Sequence, residues 1–329
     1  MKTICNLWAK IGNVIMYDKV KFWIDRAIVG EQFPSIVNLL DEANTQVNQR
    51  TGEVKTFGSL GGLRVAVFIG GVSIVGSLAK FLHNGSNVYP LDRHTTAQAL
   101  EKLGDALHFQ IGDAKVTGLE FGNNFIMRYD VAAYLSRLGA MPRMCRLNIN
   151  PTSLYYRGNG KQQPKIFAFY DKVADATNKG MDCPEDLRGA NMLRYEMRLK
   201  GRLSQQLGVS VTASTLNDER FYRMLVRLYQ DNYFSISKTH KIKSDSMSEI
   251  RTVKDAFSLF VSRLINEADQ ATVTGFIDEM KAAGVFEDRK NYTRLAKKLQ
   301  EVAAMADLTE PDELINELDD EIKNSGAYW

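Results

Sequence analysis

The sequence predicts an α+β protein, with a body of strands and short helices to about residue 206 and a helical region in residues 207–329. Segments whose apolar side chains alternate along the chain, as in half-buried strands, are concentrated in the first part. Amphipathic segments with helical spacing fill the second part. The 329 residues are 44% hydrophobic and 25% charged, which is the usual profile of a soluble globular protein.

Strands and short helices are predicted along the first 206 residues. A turn signal at 50–53 lies between strand-like segments and predicts a hairpin, and the glycines of segment 63–82 predict a strand with bends. Thr95 and Gln98 resemble a capping box at the start of a helix. The predicted strands are 20–26, 63–82, 115–121, 154–157, 165–172 and 192–199, the helices are 34–43, 95–107 and 131–138, and 175–190 is a polar connector.

The second part is predicted to be almost entirely helical. Segment 235–248 is polar, basic and rich in serine, so we interpret it as a linker or flexible loop. Apolar residues at helical spacing predict helices at 217–229, 252–266, 273–283 and 292–305, with an acidic last helix at 314–322.

Cysteine usage and hydropathy indicate a protein of a reducing compartment. Cys5, Cys145 and Cys183 are widely spaced and form no CxxC pair, which argues against a disulfide framework and a zinc ribbon. The longest apolar run, 65–77, is interrupted by glycines and too short to span a bilayer. We therefore expect a cytoplasmic protein with no membrane partner and no secretion signal.

Charge is distributed unevenly along the chain. Residues 307–323 contain eight acidic residues and one lysine, whereas residues 1–306 contain 41 Lys and Arg against 31 Asp and Glu, a net charge of +10. A basic body of this kind favours a partner that is a polyanion. A solvated surface with an acidic tail helix is the simpler alternative.

Three predicted strands bring polar residues to one face of a sheet. In 165–172 the two phenylalanines share one parity, which buries them, and Tyr170 lies on the other face at the strand end. Arg194, Glu196 and Arg198 share a parity in 192–199, and Glu120 lies in 115–121. The strands would thus bring one tyrosine and two carboxylates together.

This group has a chemical interpretation and a structural one. Tyr170 is a candidate nucleophile, because Lys172 or a metal on the same face would favour its phenolate; a strand-end tyrosine also packs simply as an amphipathic side chain. Glu120 and Glu196 are oxygen ligands of the kind that suits Mg²⁺ or Mn²⁺. Salt bridges to Arg194 and Arg198 are the competing explanation for Glu196.

Other common catalytic signatures are missing from the sequence. The histidines form no HxH or HExxH pattern, and His83, which ends the 63–82 segment, is the one expected to come nearest the site. The sequence contains no GxxxxGK[ST] motif, which argues against a P-loop ATPase, and its glycine pairs form no dinucleotide fingerprint.

The order of several short segments resembles a known family. They are Gly76–Lys80 leading to Asn87 and Val88, Leu119–Phe121, Phe169–Lys172, and Leu193–Lys200 followed by Arg202. Over roughly residues 60 to 210 the chain is similar to the rolling-circle replication initiators of filamentous phages, the gene II/X type, and to their plasmid Rep relatives.

The resemblance implies an antiparallel-sheet, Rep-like nuclease body that nicks one strand at an origin with a tyrosine. The tyrosine becomes linked to the 5′ phosphate, the free 3′ end primes replication, and Mg²⁺ or Mn²⁺ polarises the phosphate. It implies that Tyr170 is the nucleophile with Lys172 beside it, and that Tyr155 or Tyr156 is the alternative. Glu120 and Glu196 would bind the metal, although relatives commonly have Asp where this chain has Glu120.

Partners and a division of labour follow from the resemblance taken together with the change of pattern near residue 206 and the basic charge of the body, because the helical C-terminal part adds little to the resemblance itself. Residues 1–206 would be the nicking and joining domain, and residues 207–329 a helical domain for DNA binding or interaction. Double- and single-stranded origin DNA would be the partner, with a host helicase and a second copy of the chain as further candidates. The DNA backbone would be held by Arg194, Arg198, Lys200 and Arg202, and the DNA sequence would be recognised by helical segments 220–227 or 289–298.

Two other hypotheses remain at this point. A non-catalytic origin-binding or regulatory protein would also have a basic body and terminal helices. A structural or assembly protein would use Glu120 and Glu196 as buried ion pairs.

Overall fold

The computed structural model describes residues 15–83, 85, 91, 93–160, 162–180, 185–238, 240–242, 250–267, 270–304 and 309–326. These residues form two compact units. The first contains the described residues of Met1–Ile236 and Glu317–Trp329, and the second is Ser237–Asn316. The segment just after residue 206 therefore packs within the first unit. The functional division predicted at that residue stays a prediction.

A ten-stranded antiparallel sheet forms the body of the first unit, which confirms the predicted α+β class. The strands follow the order β2-β3-β4-β5-β1-β6-β10-β9-β8-β7 across the sheet. They are β1 (Met16–Asp25), β2 (Asp41–Val47), β3 (Val54–Leu60), β4 (Leu63–Phe68), β5 (Gly71–Ser77), β6 (Lys115–Ile126), β7 (Cys145–Asn150), β8 (Ser153–Arg157), β9 (Lys165–Asp171) and β10 (Met192–Lys200).

Aromatic side chains join one face of this sheet to a long helix, α7 (Glu219–Phe234). Tyr195 of β10 stacks on Phe169 of β9 with ring centroids 4.2 Å apart, and Tyr229 of α7 lies 4.2 Å from Tyr195 on that same face. Burial of such rings is a large apolar contribution to stability. The helices of the first unit are α1 (Arg26–Val29), α2 (Leu78–Leu82), α3 (Arg93–Leu107), α4 (Val131–Leu135), α5 (Lys172–Asn178), α6 (Leu203–Leu207) and α7 (Glu219–Phe234), with 3-10 turns at Gly30–Leu39, Glu185–Leu187 and Ser214–Asn217.

The second unit is mainly helical, as the sequence predicts. Its described elements are β11 (His240–Ile242), which pairs with β12 (Thr309–Pro311), and the helices α8 (Val253–Glu267), α9 (Gln270–Ala282) and α10 (Lys290–Ala304). The last helix, α11 (Glu313–Asn324), begins in the second unit and ends in the first. None of the helices in the described part is both long enough and apolar enough to cross a membrane.

Several elements differ from the sequence prediction. Segment 63–82 is a hairpin followed by α2, because Phe68 pairs with Gly71 and leaves a two-residue turn at Ile69 and Gly70. Segment 34–43 is the end of a 3-10 turn followed by β2, because pairing with β3 takes residues from Asp41 onward into the sheet. Strand β7 and helix α5 were not predicted.

Candidate active site

The sheet register brings the predicted polar residues to one face. In β9 and β10, Tyr170 pairs with Arg194, and in β10 and β6, Arg198 pairs with Glu120. Glu196 pairs with Gly122 of β6, where a Cβ atom would lie only 2.6 Å from the Cβ of Glu196. Glycine is therefore needed at position 122 to make room for the glutamate side chain.

Glu196 lies at the centre of a buried hydrogen-bonded network. Its Oε2 accepts from Nε of Arg194 at 2.7 Å and from the hydroxyl of Tyr170 at 3.1 Å, and its Oε1 accepts from Nε of Arg198. Burial by itself disfavours the charged carboxylate, but the charges of Arg194 and Arg198 outweigh it and lower the pKa of Glu196 to about 2. The carboxylate is therefore ionised throughout the physiological range.

Arg194 connects this carboxylate to the neighbouring strands. Its side chain is fully buried, and its Nη1 and Nη2 donate to Asn124 at 3.0 Å and to Asp18 at 2.8 Å. Asp18 also accepts from the hydroxyl of Ser77 at 2.6 Å. The guanidinium thus joins β10, β6 and β1, and a hydrogen bond extends the network to β5.

Asp18, Asn124 and Ser77 were not predicted from the sequence to be part of the site. Asp18 lay two residues before the predicted start of its strand, because β1 begins at Met16 and not at residue 20; its one signal is a shared parity with Val20 and Phe22. A register shift between Tyr17 and Val20 interrupts the regular pairing of β1 with β6 at this point. Asn124 lay beyond the predicted end of its strand, because β6 continues to Ile126.

Tyr170 and Lys172 occupy the end of β9 and the start of α5. Both are buried, at 8% and 4% exposed. Burial raises the pKa of the Tyr170 phenol well above its usual value; Arg194 opposes this effect and Glu196 adds to it. Burial also lowers the pKa of Lys172 to about 8. The phenol is therefore protonated at neutral pH, and the amine is able to exchange a proton near that pH.

The two acids predicted to bind metal are in different environments. Both oxygens of Glu196 already accept from guanidinium groups, so Glu196 does not fit the role of metal ligand in this arrangement. Glu120 is partly exposed, with the Nζ of Lys19 at 3.9 Å, and burial followed by the charge of Glu196 raises its pKa. Within the described ranges, no three His, Cys, Asp or Glu residues are grouped so that they could hold a metal ion.

The residues predicted to hold DNA also separate into two groups. Arg194 has no exposed surface and donates only within the protein, so this geometry does not support a contact with DNA. Lys200 and Arg202 are exposed, and the Arg198 side chain is 24% exposed. The exposed cations lie at and beyond the C-terminal end of β10.

The alternative tyrosines lie on opposite faces of the sheet. Tyr156 is fully buried, donates to the carbonyl of Gly139 at 2.8 Å, and burial raises its pKa to about 12. Tyr155 is on the same face as Tyr170, because it pairs with Ala168, two residues before Tyr170.

The buried Nε2 of His83 has no hydrogen bond within the described residues.

Comparisons with known proteins point to a family of replication proteins. A family model described as the N-terminal part of a phage replication-associated protein, the gene II protein, matches residues 16–218. A rolling-circle replication initiator protein from Geobacillus stearothermophilus is similar in structure, at 12% identity and a TM-score of 0.39, over 71% of this chain and 90% of that chain. No curated protein matches significantly. Because the family model covers more than half of the chain and all ten strands of the sheet, the protein belongs to the gene II family of replication-associated proteins.

Proposed function

We propose that the protein initiates rolling-circle replication in the cytoplasm by nicking one strand of origin DNA with Tyr170. The observation that carries this proposal is the hydrogen bond from the Tyr170 phenol to Glu196, whose position is fixed by two arginines. A phenol held in one orientation suits in-line attack, because phosphoryl transfer depends on positioning and charge stabilisation.

The proposed step transfers a phosphoryl group from DNA to the protein. The Tyr170 oxygen attacks the scissile phosphorus, the bond from phosphorus to the 3′ oxygen breaks, and the 5′ phosphate remains on the tyrosine. In this proposal the phenolic proton, which the hydroxyl donates to Glu196 in the free protein, passes to the neutral form of Lys172 when the phosphate binds. Lys172 then gives a proton to the leaving 3′ oxygen, and its pKa of about 8 permits both transfers. The product is a 5′-phosphotyrosine and a free 3′ hydroxyl.

Divalent metal is the second part of the proposal. Mg²⁺ and Mn²⁺ often bind through one or two carboxylates together with phosphate oxygens of the substrate. Glu120, which keeps part of its surface exposed, is the residue that would hold such an ion with the DNA. The ion would neutralise charge on the scissile phosphate.

DNA binding by the body is the third part. Arg198, Lys200 and Arg202 would hold the DNA backbone, and the net charge of +10 over residues 1–306 would make the affinity depend on salt. A host helicase and a second copy of the chain are further partners in this proposal.

A nicking assay tests the nucleophile. Supercoiled plasmid carrying the chain's own origin is incubated with Mg²⁺ or Mn²⁺, and the products are separated on a denaturing gel without protease treatment. The native protein is expected to give a nicked circle with protein on its 5′ end, and Tyr170→Phe to give neither. Tyr129→Phe is the matched control, because Tyr129 is 44% exposed and its side chain is outside the network.

Two results would contradict the assignment. Nicking by Tyr170→Phe with a surviving adduct would move the nucleophile to Tyr155 or Tyr156. Loss of nicking in Tyr129→Phe as well would show that the assay reports a general effect of removing a tyrosine hydroxyl.

A non-catalytic origin-binding protein is the second candidate function. The burial of Tyr170 favours it, because only 8% of the residue is exposed to an incoming phosphate. This candidate predicts salt-sensitive binding of origin DNA with no covalent adduct and no need for metal.

A further inference from the structure

Arg198 is held on two sides by the protein. Its Nε donates to Oε1 of Glu196, and its guanidinium carbon lies 5.7 Å from the centroid of the Tyr155 ring. A cation within about 6 Å of an aromatic ring is attracted by the ring's electron-rich face. The ring and the carboxylate together restrict the orientation of the guanidinium plane.

The outer nitrogens of Arg198 remain available to a ligand. No hydrogen bond from its Nη1 or Nη2 is found within the part of the chain that the structure describes, and the side chain is 24% exposed. Arg194, by contrast, is fully buried and donates from Nε, Nη1 and Nη2 to protein groups. The two arginines therefore differ in what they can bind.

One carboxylate places Arg198 next to the candidate nucleophile. Glu196 accepts from Arg198 through Oε1 and from the Tyr170 hydroxyl through Oε2. A guanidinium with two unused donor nitrogens matches the geometry of phosphate oxygens. A phosphate bound there would lie close to the Tyr170 oxygen.

We infer that Tyr155 is a positioning residue, whose ring holds Arg198 in the orientation that binds a DNA phosphate beside Tyr170. The inference rests on the proposed function and assigns Tyr155 a role other than nucleophile. No hydrogen bond from the Tyr155 hydroxyl is found in the described ranges, so the contact belongs to the ring. The hydroxyl is therefore dispensable for this role.

The test measures affinity for a single-stranded origin oligonucleotide in the Tyr170→Phe background, where cleavage does not interfere. Tyr155→Leu keeps an apolar side chain but removes the ring, and is expected to weaken binding about two- to fivefold. Tyr155→Phe keeps the ring and is expected to bind with the same affinity as the Tyr170→Phe protein that retains Tyr155. In an Arg198→Gln background, Tyr155→Leu is expected to have no further effect, because its partner is already gone.

Three outcomes would overturn the inference. They are an unchanged affinity in Tyr155→Leu, an equal loss in Tyr155→Phe, and a loss in Tyr155→Leu that persists after Arg198→Gln. Thermal melting of each variant checks that it folds. If one variant is less stable, the affinities of Tyr155→Phe and Tyr155→Leu are compared at a temperature at which both are folded. Binding is measured here without cleavage, so this test is independent of the nicking assay. If the protein forms no covalent adduct but the effects of Tyr155 and Arg198 on affinity remain coupled, the nicking function alone is disproved.

Discussion

Glu196 shows how the fold keeps a charged side chain inside the sheet. The residue is 2% exposed, and its carboxylate accepts from two arginines and one tyrosine. Removing one charge from a buried pair leaves the other uncompensated, which costs more than the pair itself contributes. From the sequence, both metal binding and salt bridges were possible roles for Glu196. The hydrogen bonds to Arg194 and Arg198 favour the salt bridges.

Glu196→Gln is expected to lower the free energy of unfolding by about 3–5 kcal/mol at pH 7, because Arg194 would keep only Asp18 of its two buried counter-charges and Arg198 would lose the carboxylate that accepts from its Nε. The folded-state pKa of about 2 is below the unfolded value, so this contribution is present above about pH 4.5 and decreases as the pH falls towards 2. The difference in the free energy of unfolding between the variant and the native protein should therefore become smaller as the pH falls from about 4.5 towards 2. Urea unfolding at several pH values measures it.

Glu120→Gln is the matched control. Glu120 is partly exposed, and its pKa is raised rather than lowered, first by burial and then by Glu196. Glu120→Gln should therefore lower the free energy of unfolding much less than Glu196→Gln does. Equal losses in the two variants would contradict the central role of Glu196.

The sequence predicted part of this residue-scale arrangement. Side-chain parity is a local property of a strand, so it correctly grouped Arg194, Glu196 and Arg198 on one face. It could not identify Asp18 or Asn124 as partners of Arg194, because both lie on other strands and register is not a local property.

Helix α5 begins two residues after the candidate nucleophile, Tyr170, and Lys172 is its first residue. Asp171 is its N-cap residue, and one carboxylate oxygen accepts from the amides of Val173 and Ala174 at 2.9 Å. Tyr170 is thus the last residue but one of β9, Asp171 both ends β9 and caps α5, and Lys172 is the first residue of α5. The predicted strand extended to residue 172, so the start of this helix was not predicted.

Asp171→Ala is expected to lower the free energy of unfolding by about 1 kcal/mol, because two amides at the start of α5 lose their acceptor. Chemical denaturation measures the change. Asp171→Ser should restore most of the stability, since serine is also a good cap. An Asp171→Ser variant as unstable as the alanine variant would show that capping is not what the aspartate contributes.

At the scale of the whole molecule, the acidic last helix is integrated into the first unit. Glu317 accepts from the hydroxyl of Tyr134 at 2.5 Å, and Asp319 accepts from the hydroxyl of Tyr233 at 2.7 Å. Leu318 and Ile322 are fully buried. Two acids of the predicted acidic last helix therefore accept hydrogen bonds from tyrosines of the first unit.

Leu318→Ala is expected to lower the free energy of unfolding by about 2–5 kcal/mol, because it leaves a cavity at a fully buried position. Calorimetry or urea unfolding of the full chain measures the loss. Asp320→Asn is the control on the same helix, since the Asp320 side chain is 72% exposed, and it should change stability little. Similar effects of the two substitutions would contradict the packing of α11.

The sequence by itself determined the α+β class, the positions of most strands and helices, and the common face of Tyr170 and Glu196. These properties follow from local periodicity, because alternation and helical spacing are written along one segment. The tertiary structure decided which acid faces which arginine, that Tyr156 lies on the opposite face from Tyr170, and that α11 packs on the body. Those contacts join residues that are distant in sequence, and only the strand register and the packing of the last helix in the folded protein bring them together.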